Sequence, residues 1–430
     1  MKLELAIFIL ISGGLLAGCS APQQNMFMHV EKCRFVDSGS NHYYFIGANL
    51  WYGAFMASEG PGCDRERLCR ELDRLKTLGI DNLRIAVGAD GSEEDAVKVK
   101  PILQTAPGTY NDDVLDGLDF MMAELGKRGM YAVLYLTNAW TWSGGYGQYL
   151  EWSGKGECKI QGVVGWDEYR EYVSQFHKAD ADDECKQMLD NHIRFIVSRT
   201  NRYTGRPYSE DPAIFSWQLC NEPRAFSDEG KENLYTWVEH TARLIKELDP
   251  NHMVSTGSEG EMGCETDIEL WRRIHAIDEI DYATIHIWPY NWRWVDRDTF
   301  ETDVDTACRM SSEYIGRHAA IARELDKPLV IEEFGYLRDG FRFDAGSAVS
   351  ARDAYYRHIL DAVVQSAAAG DVLAGCNFWA WGGEARPQHL TWQTGDPYCG
   401  DPAQEEQGLY SVFDCDSTAG VIAGSVKQLQ

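Results

Sequence analysis

The sequence predicts an α/β fold, a (β/α)8 TIM barrel with enlarged βα loops at its C-terminal face. Three observations predict it. Eight short apolar runs alternate with longer stretches of helical period, the pattern of a parallel strand layer covered by helices. The eight units together occupy about 340 residues, the span of a barrel with long loops. Polar and aromatic residues gather just after the apolar runs, where a barrel carries its active-site loops. A doubly wound open sheet is the competing architecture. No Gly-x-Gly-x-x-Gly follows a strand, which disfavours its dinucleotide-binding form.

The elements follow in order. Tyr43 to Ala48 reads as the first strand and Arg65 to Leu78 as the first helix. Asn82 to Val87 is the second strand, followed by a helix from Asp113 to Arg128. Tyr131 to Thr137 is the third strand, and Glu184 to Asn201 its helix. Ala213 to Leu219 is the fourth strand, and its helix from Glu232 to Leu248 stops at Asp249-Pro250, because proline cannot continue a helix. Met253 to Thr256 and Tyr282 to Ile287 are strands five and six. Ser312 to Leu325 is a helix, Leu329 to Ile331 the seventh strand, Ser350 to Ala369 a helix and Leu373 to Trp379 the eighth strand. There is no internal repeat and no low-complexity linker. Residues 41–430 therefore read as one catalytic domain, with a C-terminal extension from about residue 382 wrapping the barrel.

The chain has 430 residues, 40 Lys plus Arg and 67 Asp plus Glu, for a formal charge of −27. An acidic surface excludes nucleic acid as a partner and disfavours polyanionic substrates, because both need a basic face. Apolar residues make up 44%, enough for a large core rather than a disordered chain. Aromatic residues are plentiful, with 14 Trp, 21 Tyr and 16 Phe.

Residues 1–19 read as an address. Met1-Lys2 precedes an apolar run from Leu5 to Leu16, too short for a permanent bilayer span and laid out like a signal peptide. It ends in Leu16-Ala17-Gly18-Cys19, which resembles a bacterial lipobox. The resemblance implies export, lipidation at Cys19 and, with Ser20 next, anchoring in the outer membrane. Residues 20–40 would be tether and N-terminal segment, with Ala21 to Met28 as the tether. Eleven cysteines remain after Cys19, an odd number. Cys63 with Cys69, Cys158 with Cys185 and Cys399 with Cys415 are possible bridges. Cys220 and Cys376 read as buried free thiols.

The functional reading rests on two carboxylates. The fourth strand ends in Asn221-Glu222-Pro223-Arg224, and the seventh in Glu332-Glu333-Phe334-Gly335. A carboxylate directly after an apolar strand is costly unless it is paired or used. A retaining glycosidase needs two, roughly 5–5.5 Å apart: one protonates the leaving oxygen, the other attacks the anomeric carbon. Strands four and seven face each other across a barrel mouth. Glu332 competes with Glu333 for the nucleophile's place, and strand alternation turns only one of two neighbours inward.

These motifs resemble glycoside hydrolase family 5 over about residues 41–415. Asn221-Glu222-Pro223 looks like that family's acid/base signature and Glu333-Phe334-Gly335 like its nucleophile signature. The resemblance implies Glu222 as acid/base and Glu333 as nucleophile. It implies Arg84 as support for the nucleophile, Asn221 as the hydrogen-bond partner of the sugar 2-OH, and His286 as a neighbour of the acid/base. Trp379 would lie under the reacting sugar. Two departures stand out. Trp288 occupies a position where many relatives carry a tyrosine bonded to the nucleophile, and its N–H can only donate. Strand three ends in Thr137-Asn138-Ala139-Trp140, without the histidine of cellulase-type relatives.

The loops point to a neutral polysaccharide. Asn138 to Asp182 carries Trp140, Trp142, Tyr146, Tyr149, Trp152, Trp166, Tyr169 and Tyr172. The loop after strand six carries Trp288, Tyr290, Trp292 and Trp294. Flat rings suit the C–H faces of pyranoses, and a row of them suits endo action. Trp142-Ser143-Gly144-Gly145, Gly257-Ser258-Glu259-Gly260 and Phe378-Trp379-Ala380-Trp381-Gly382-Gly383 look most like the β-mannanase subgroup. That resemblance implies β-mannan, glucomannan or galactomannan as substrate, with Trp140 and Arg224 beside the cleavage point. No cofactor is expected, nor a metal, since there is no His-Glu-x-x-His and the acidic run Asp180 to Glu184 lacks EF-hand spacing; a monomer is expected. An endo-β-1,4-glucanase of the same family and a non-catalytic glycan-binding lipoprotein are the alternatives.

Overall fold

A computed structural model describes residues 26–95 and 97–429. Eight parallel strands form the centre: β1 Phe45–Asn49, β2 Asn82–Ala86, β3 Tyr131–Tyr135, β4 Ile214–Gln218, β5 Met253–Ser255, β6 Ala283–Ile287, β7 Leu329–Phe334 and β8 Leu373–Phe378. All are apolar-rich and almost wholly buried, as strands covered on both faces must be. The pairing order is β5-β4-β3-β2-β1-β8-β7-β6. The seam between β5 and β6 is drawn together outside the ladder. Asp281 N donates to the carbonyl of Val254 at 2.9 Å, the Asp281 carboxylate accepts from Val254 N at 2.6 Å, and His286 N donates to the Glu259 carbonyl at 3.1 Å. The expected barrel is therefore present.

Eight helices surround it: α1 Arg65–Thr77, α2 Asp112–Arg128, α3 Glu184–Val197, α4 Lys231–Leu248, α5 Ile268–His275, α6 Val304–Glu324, α7 Ser350–Ala369 and α8 Ser417–Leu429. Their starts follow capping chemistry. The side chains of Asp64, Asn111, Asp183 and Asp267 each accept a backbone N–H of the first turn. Two of these eight go beyond the sequence reading, as do short helices in the loops at Gly53–Met56, Gly145–Trp152, Trp166–Val173 and Gln175–Lys178. Helix α5 has only eight residues, with Leu270, Trp271 and Ile274 on its buried face. Helix α8 is rich in Ser, Gly and Ala, and its amphipathic pattern is weak. It packs on α7 and β1, so the C-terminal extension divides in two. Residues 384–416 run over the mouth, and 417–429 supply the eighth helix. Helix α6 begins at Val304 rather than Ser312, and α3 stops at Val197.

The bottom of the barrel is sealed by a small antiparallel sheet, His29–Glu31, Arg34–Val36 and His42–Tyr43. Phe35 is fully buried there, edge-on to Phe215 at 4.9 Å and to Tyr282 at 5.3 Å between ring centroids. Met28 belongs to the same apolar plug, so ordered packing already begins within the expected tether. Cys19 and the leader lie outside the described residues. The eleven described cysteines are all free, so none of the three possible bridges forms. Cys63 instead donates to the Phe55 carbonyl, Cys69 faces the Glu124 carboxylate, and Cys399 is buried while Cys415 is exposed.

Candidate active site

The site lies where the strands end upward. Glu222 follows β4 in a left-handed backbone conformation, φ 52°, which costs a non-glycine residue about 1–2 kcal/mol. The strain is held by neighbours. Glu222 N donates to the Gly257 carbonyl at 2.9 Å. Gly257 itself must be glycine: its φ is +77°, and a Cβ would stand 2.0 Å from the Cys220 carbonyl oxygen.

Glu333 ends β7. Between Ile285 and His286 the register of β6 against β7 shifts, so that Ile285 pairs with Ile331 but His286 with Glu333. This extra residue overturns the simple alternation argument. Both Glu332 and Glu333 turn into the barrel, Glu333 at the mouth and Glu332 in the layer beneath it. Their partners separate their roles. Glu333 accepts from Arg84 Nη1 at 2.6 Å and lies 3.3 Å from His286 Nδ1. Glu332 accepts from Gln218 Nε2 at 2.7 Å and from Tyr282 OH at 3.3 Å.

His286 Nδ1 is 2.7 Å from Glu222 Oε1, so one imidazole bridges both glutamates. Ligand atoms of Glu222, His286 and Glu333 all lie within 4.8 Å of one another. That separation matches a retaining pair and leaves no room for the interposed water of an inverting one. Burial opposes protonation of His286, but the Glu333 and Glu222 carboxylates outweigh it and lift its pKa to about 10. For Glu333 burial again works against charge. The His286 and Arg84 cations prevail and hold its pKa below the ordinary value. The result is an ionised Glu333 carboxylate. The same three residues are the group among the described residues whose spacing would suit a metal ion. An imidazolium shared between two carboxylates has no lone pair for one.

Arg84, on β2, is fully buried, and each of its three guanidinium nitrogens finds an acceptor. Nη1 reaches Glu333 and Asn49 Oδ1 (3.2 Å), Nη2 reaches Asn221 Oδ1 (2.7 Å), and Nε reaches Gln218 Oε1 (2.8 Å). Its face lies over the Tyr135 ring at 4.6 Å. Asn221 donates onward to Asn138 Oδ1 at 3.1 Å. Trp140 Nε1 donates to Glu222 Oε2, and the Trp140 ring packs with Tyr169, Phe226 and Trp166. Arg224 is bound to Glu265 at 3.0 Å and Glu259 at 3.5 Å, near Glu222 rather than in a distant surface pair. Trp379 and Trp288 meet edge to face at 6.1 Å, and Tyr410 closes on Trp288 at 5.1 Å. All nine expected site residues, Arg84, Trp140, Asn221, Glu222, Arg224, His286, Trp288, Glu333 and Trp379, come together at this one mouth.

Other members of the site carry fainter sequence signals. Gln218 is given away only by the polar alternation Ser216, Gln218 within an apolar strand. Glu259 sits in the quoted Gly-Ser-Glu-Gly stretch; burial and the Glu222 charge push its pKa up to about 8 against the pull of Arg224. Glu405, from the segment over the mouth, has its pKa raised well above normal by burial, Asp401 and Glu333, with Glu222 adding to it. No local pattern announced it, because only folding brings residue 405 to this end. Of the aromatic loop residues, Trp142, Tyr146, Tyr149, Tyr169 and Tyr172 are buried packing, whereas Trp166 stays 47% exposed.

Fold and site together define a retaining glycoside hydrolase built on a (β/α)8 barrel. The comparisons narrow the class. The chain belongs to the glycoside hydrolase family 5 β-mannosidase-like family, whose model matches residues 25–430. It is 34% identical over 390 residues to a putative mannan endo-1,4-β-mannosidase 9 of Oryza sativa subsp. japonica, covering 88% of this chain and 86% of the relative. Among solved structures, a family 5 mannosidase from Rhizomucor miehei superimposes with a TM-score of 0.86 at 30% identity, covering 94% of this chain and 98% of that one. An endo-β-1,4-mannanase from Thermotoga petrophila shares the fold, with a TM-score of 0.66 at 24% identity, covering 90% of this chain and 77% of that one.

Proposed function

We propose that this enzyme is an endo-β-1,4-mannanase that cleaves mannan-type hemicellulose by double displacement with retention. The observation that carries the reading is the glutamate pair, with Glu222 and Glu333 oxygens within 4.8 Å and one imidazolium between them. Glu222 gives its proton to the leaving glycosidic oxygen while Glu333 attacks the anomeric carbon. A mannosyl ester forms on Glu333. Glu222, now ionised, takes a proton from water, and the water oxygen displaces Glu333 from the same carbon. Asn221, fixed by Arg84 and Asn138, presents its side chain toward the 2-OH, where bonding tightens as the oxocarbenium develops.

The relatives' names and the aromatic mouth support the substrate class. Trp140 contacts the acid/base, so the Trp140–Trp166 ring pair marks the leaving-group side, and a ring exposed there suits a continuing chain rather than a chain end. The test is the product profile on linear mannan, run beside carboxymethylcellulose. Mixed oligosaccharides from mannan alone are expected. Release of only mannose or mannobiose would make the enzyme exo-acting, and cleavage of the cellulose derivative alone would make it a glucanase.

The lipobox-like Leu16-Ala17-Gly18-Cys19 supports a second proposal, that Cys19 is lipidated and holds the enzyme as a monomer on the outer membrane. Cys19→Ser should move the activity from the membrane fraction to the soluble fraction. Unchanged fractionation overturns the anchor.

A further inference from the structure

The barrel interior directly below the nucleophile holds a second carboxylate that the double displacement does not use. Glu332 is fully buried, and it is chain neighbour to Glu333. Both of its oxygens accept from Gln218 Nε2, at 2.7 Å each. The same Gln218 nitrogen donates to Ser255 Oγ at 3.0 Å, so its donors have acceptors on that side. On the other side, Gln218 Oε1 accepts from Arg84 Nε at 2.8 Å. The main chain adds a link: Asn49 Nδ2 donates to the Glu332 carbonyl at 2.8 Å, and Asn49 Oδ1 accepts from Arg84.

A glutamine side chain has two faces of opposite sense, and the two orientations of its amide are nearly equal in shape. Here they are far from equal in energy. Reversing Gln218 would aim its NH2 at the N–H of Arg84 and its oxygen at the Glu332 carboxylate. Donor would face donor and acceptor would face acceptor, in a buried site where unmade bonds cost most. We propose that Glu332 is a positioning residue: it fixes the direction of the Gln218 amide, and through it holds Arg84 in the orientation that serves Glu333 and Asn221. The order of action is Glu332, Gln218, Arg84, then the nucleophile and the 2-OH ligand together. Glu332 touches neither sugar nor nucleophile and acts only through the arginine.

The inference rests on the double-displacement reading of the site, and its test separates the two. Wild type, Glu332→Leu, Glu332→Gln, Gln218→Leu and the Glu332→Leu/Gln218→Leu double variant are compared on linear mannan. Glu332→Leu removes the acceptor. It should lower kcat by about tenfold or more, as small misplacements of catalytic groups do, with KM changed less than about threefold. Its acid limb should move to higher pH, because a looser Arg84 holds down the Glu333 pKa less. Gln218→Leu should match it, and the double variant should be no worse than either, as for residues in one chain of action. Glu332→Gln can still offer Gln218 an acceptor oxygen and should recover most of the loss. A crystal structure of the Glu332→Leu variant should show Arg84 displaced from Glu333 or Asn221. The proposal is overturned if Glu332→Leu lowers only Tm while kcat and the acid limb stay put, if the two single losses add, or if Arg84 keeps its bonds in the variant crystal. An inactive wild type would sink the substrate reading; the Arg84 geometry would still decide this one.

Discussion

The two ends of the barrel use the same eight strands to opposite ends. At the bottom, Phe35, Phe45, Phe215, Met253 and Val330 pack into an apolar plug capped by the N-terminal sheet. At the mouth, Arg84, His286, Glu222, Glu333, Asn49, Asn138 and Asn221 form a buried polar network with few partners left over. The plug stabilises by removing apolar surface from water, which is non-directional and tolerant. The network is directional: Arg84 and His286 each bridge two or more of its members, and displacing one misplaces several. The bottom end is thus given to packing and the mouth to chemistry, a few residues apart along each strand, while the main apolar core lies between strands and helices.

Substitutions at the two ends should separate cleanly. The largest effect is expected from Glu333→Ala. It should lower kcat by about 10⁴-fold or more, since no other group can form the covalent ester, with a Tm close to wild type; normal mannan hydrolysis would refute the nucleophile assignment. Phe35→Ala acts at the other end. It should cost about 3–5 kcal/mol of stability in denaturant unfolding, the usual range for a buried Phe truncation, while kcat of the folded enzyme stays within about twofold. A matching loss of kcat would mean that the plug and the mouth are coupled. Trp140→Phe keeps the ring but removes the N–H that reaches Glu222. A hydrogen bond between neutral groups contributes about 0.5–1.5 kcal/mol, so kcat/KM should fall roughly 2- to 10-fold, and the smaller ring should lower Tm slightly.

The mildest perturbation is pH. His286 is held protonated in the folded enzyme to about 10, above the unfolded value of about 6.5. Its contribution is complete below about pH 6.5 and is lost as pH rises through 10. Tm should therefore fall by a few degrees between pH 7 and 10, and His286→Asn should flatten that decline. The Phe35→Ala deficit, by contrast, should be the same at both pH values, because the plug's aromatic and aliphatic groups carry no charge there. A pH-dependent deficit would contradict the division between the ends.

Much of this was legible in the chain. The alternation of apolar runs with helical period announced the barrel, and the strand-end motifs Asn221-Glu222-Pro223 and Glu333-Phe334-Gly335 announced the pair. Those signals are local: a strand, a turn and a carboxylate lie within a few residues of each other. Helix α8 was missed because the chain from about residue 382 was read as an extension wrapping the barrel, and the three possible disulfides failed because proximity in sequence does not aim two thiols at each other. That Glu332 also faces inward was not legible, because period-two alternation assumes an unbroken ladder, and the ladder shifts by a residue beside it.

The sequence by itself announced the strand and helix order, an acidic surface and the two strand-end carboxylates Glu222 and Glu333. Only the tertiary structure decided that Glu222 and Glu333 share one imidazolium, that Gln218 and Glu332 stand beneath Arg84, and that Glu405 reaches the mouth from the far end of the chain. The physical reason is one of range. Periodicity and strand-end chemistry act over a few residues, whereas hydrogen-bond directions and the pKa values they set depend on groups brought together from distant strands only when the barrel closes.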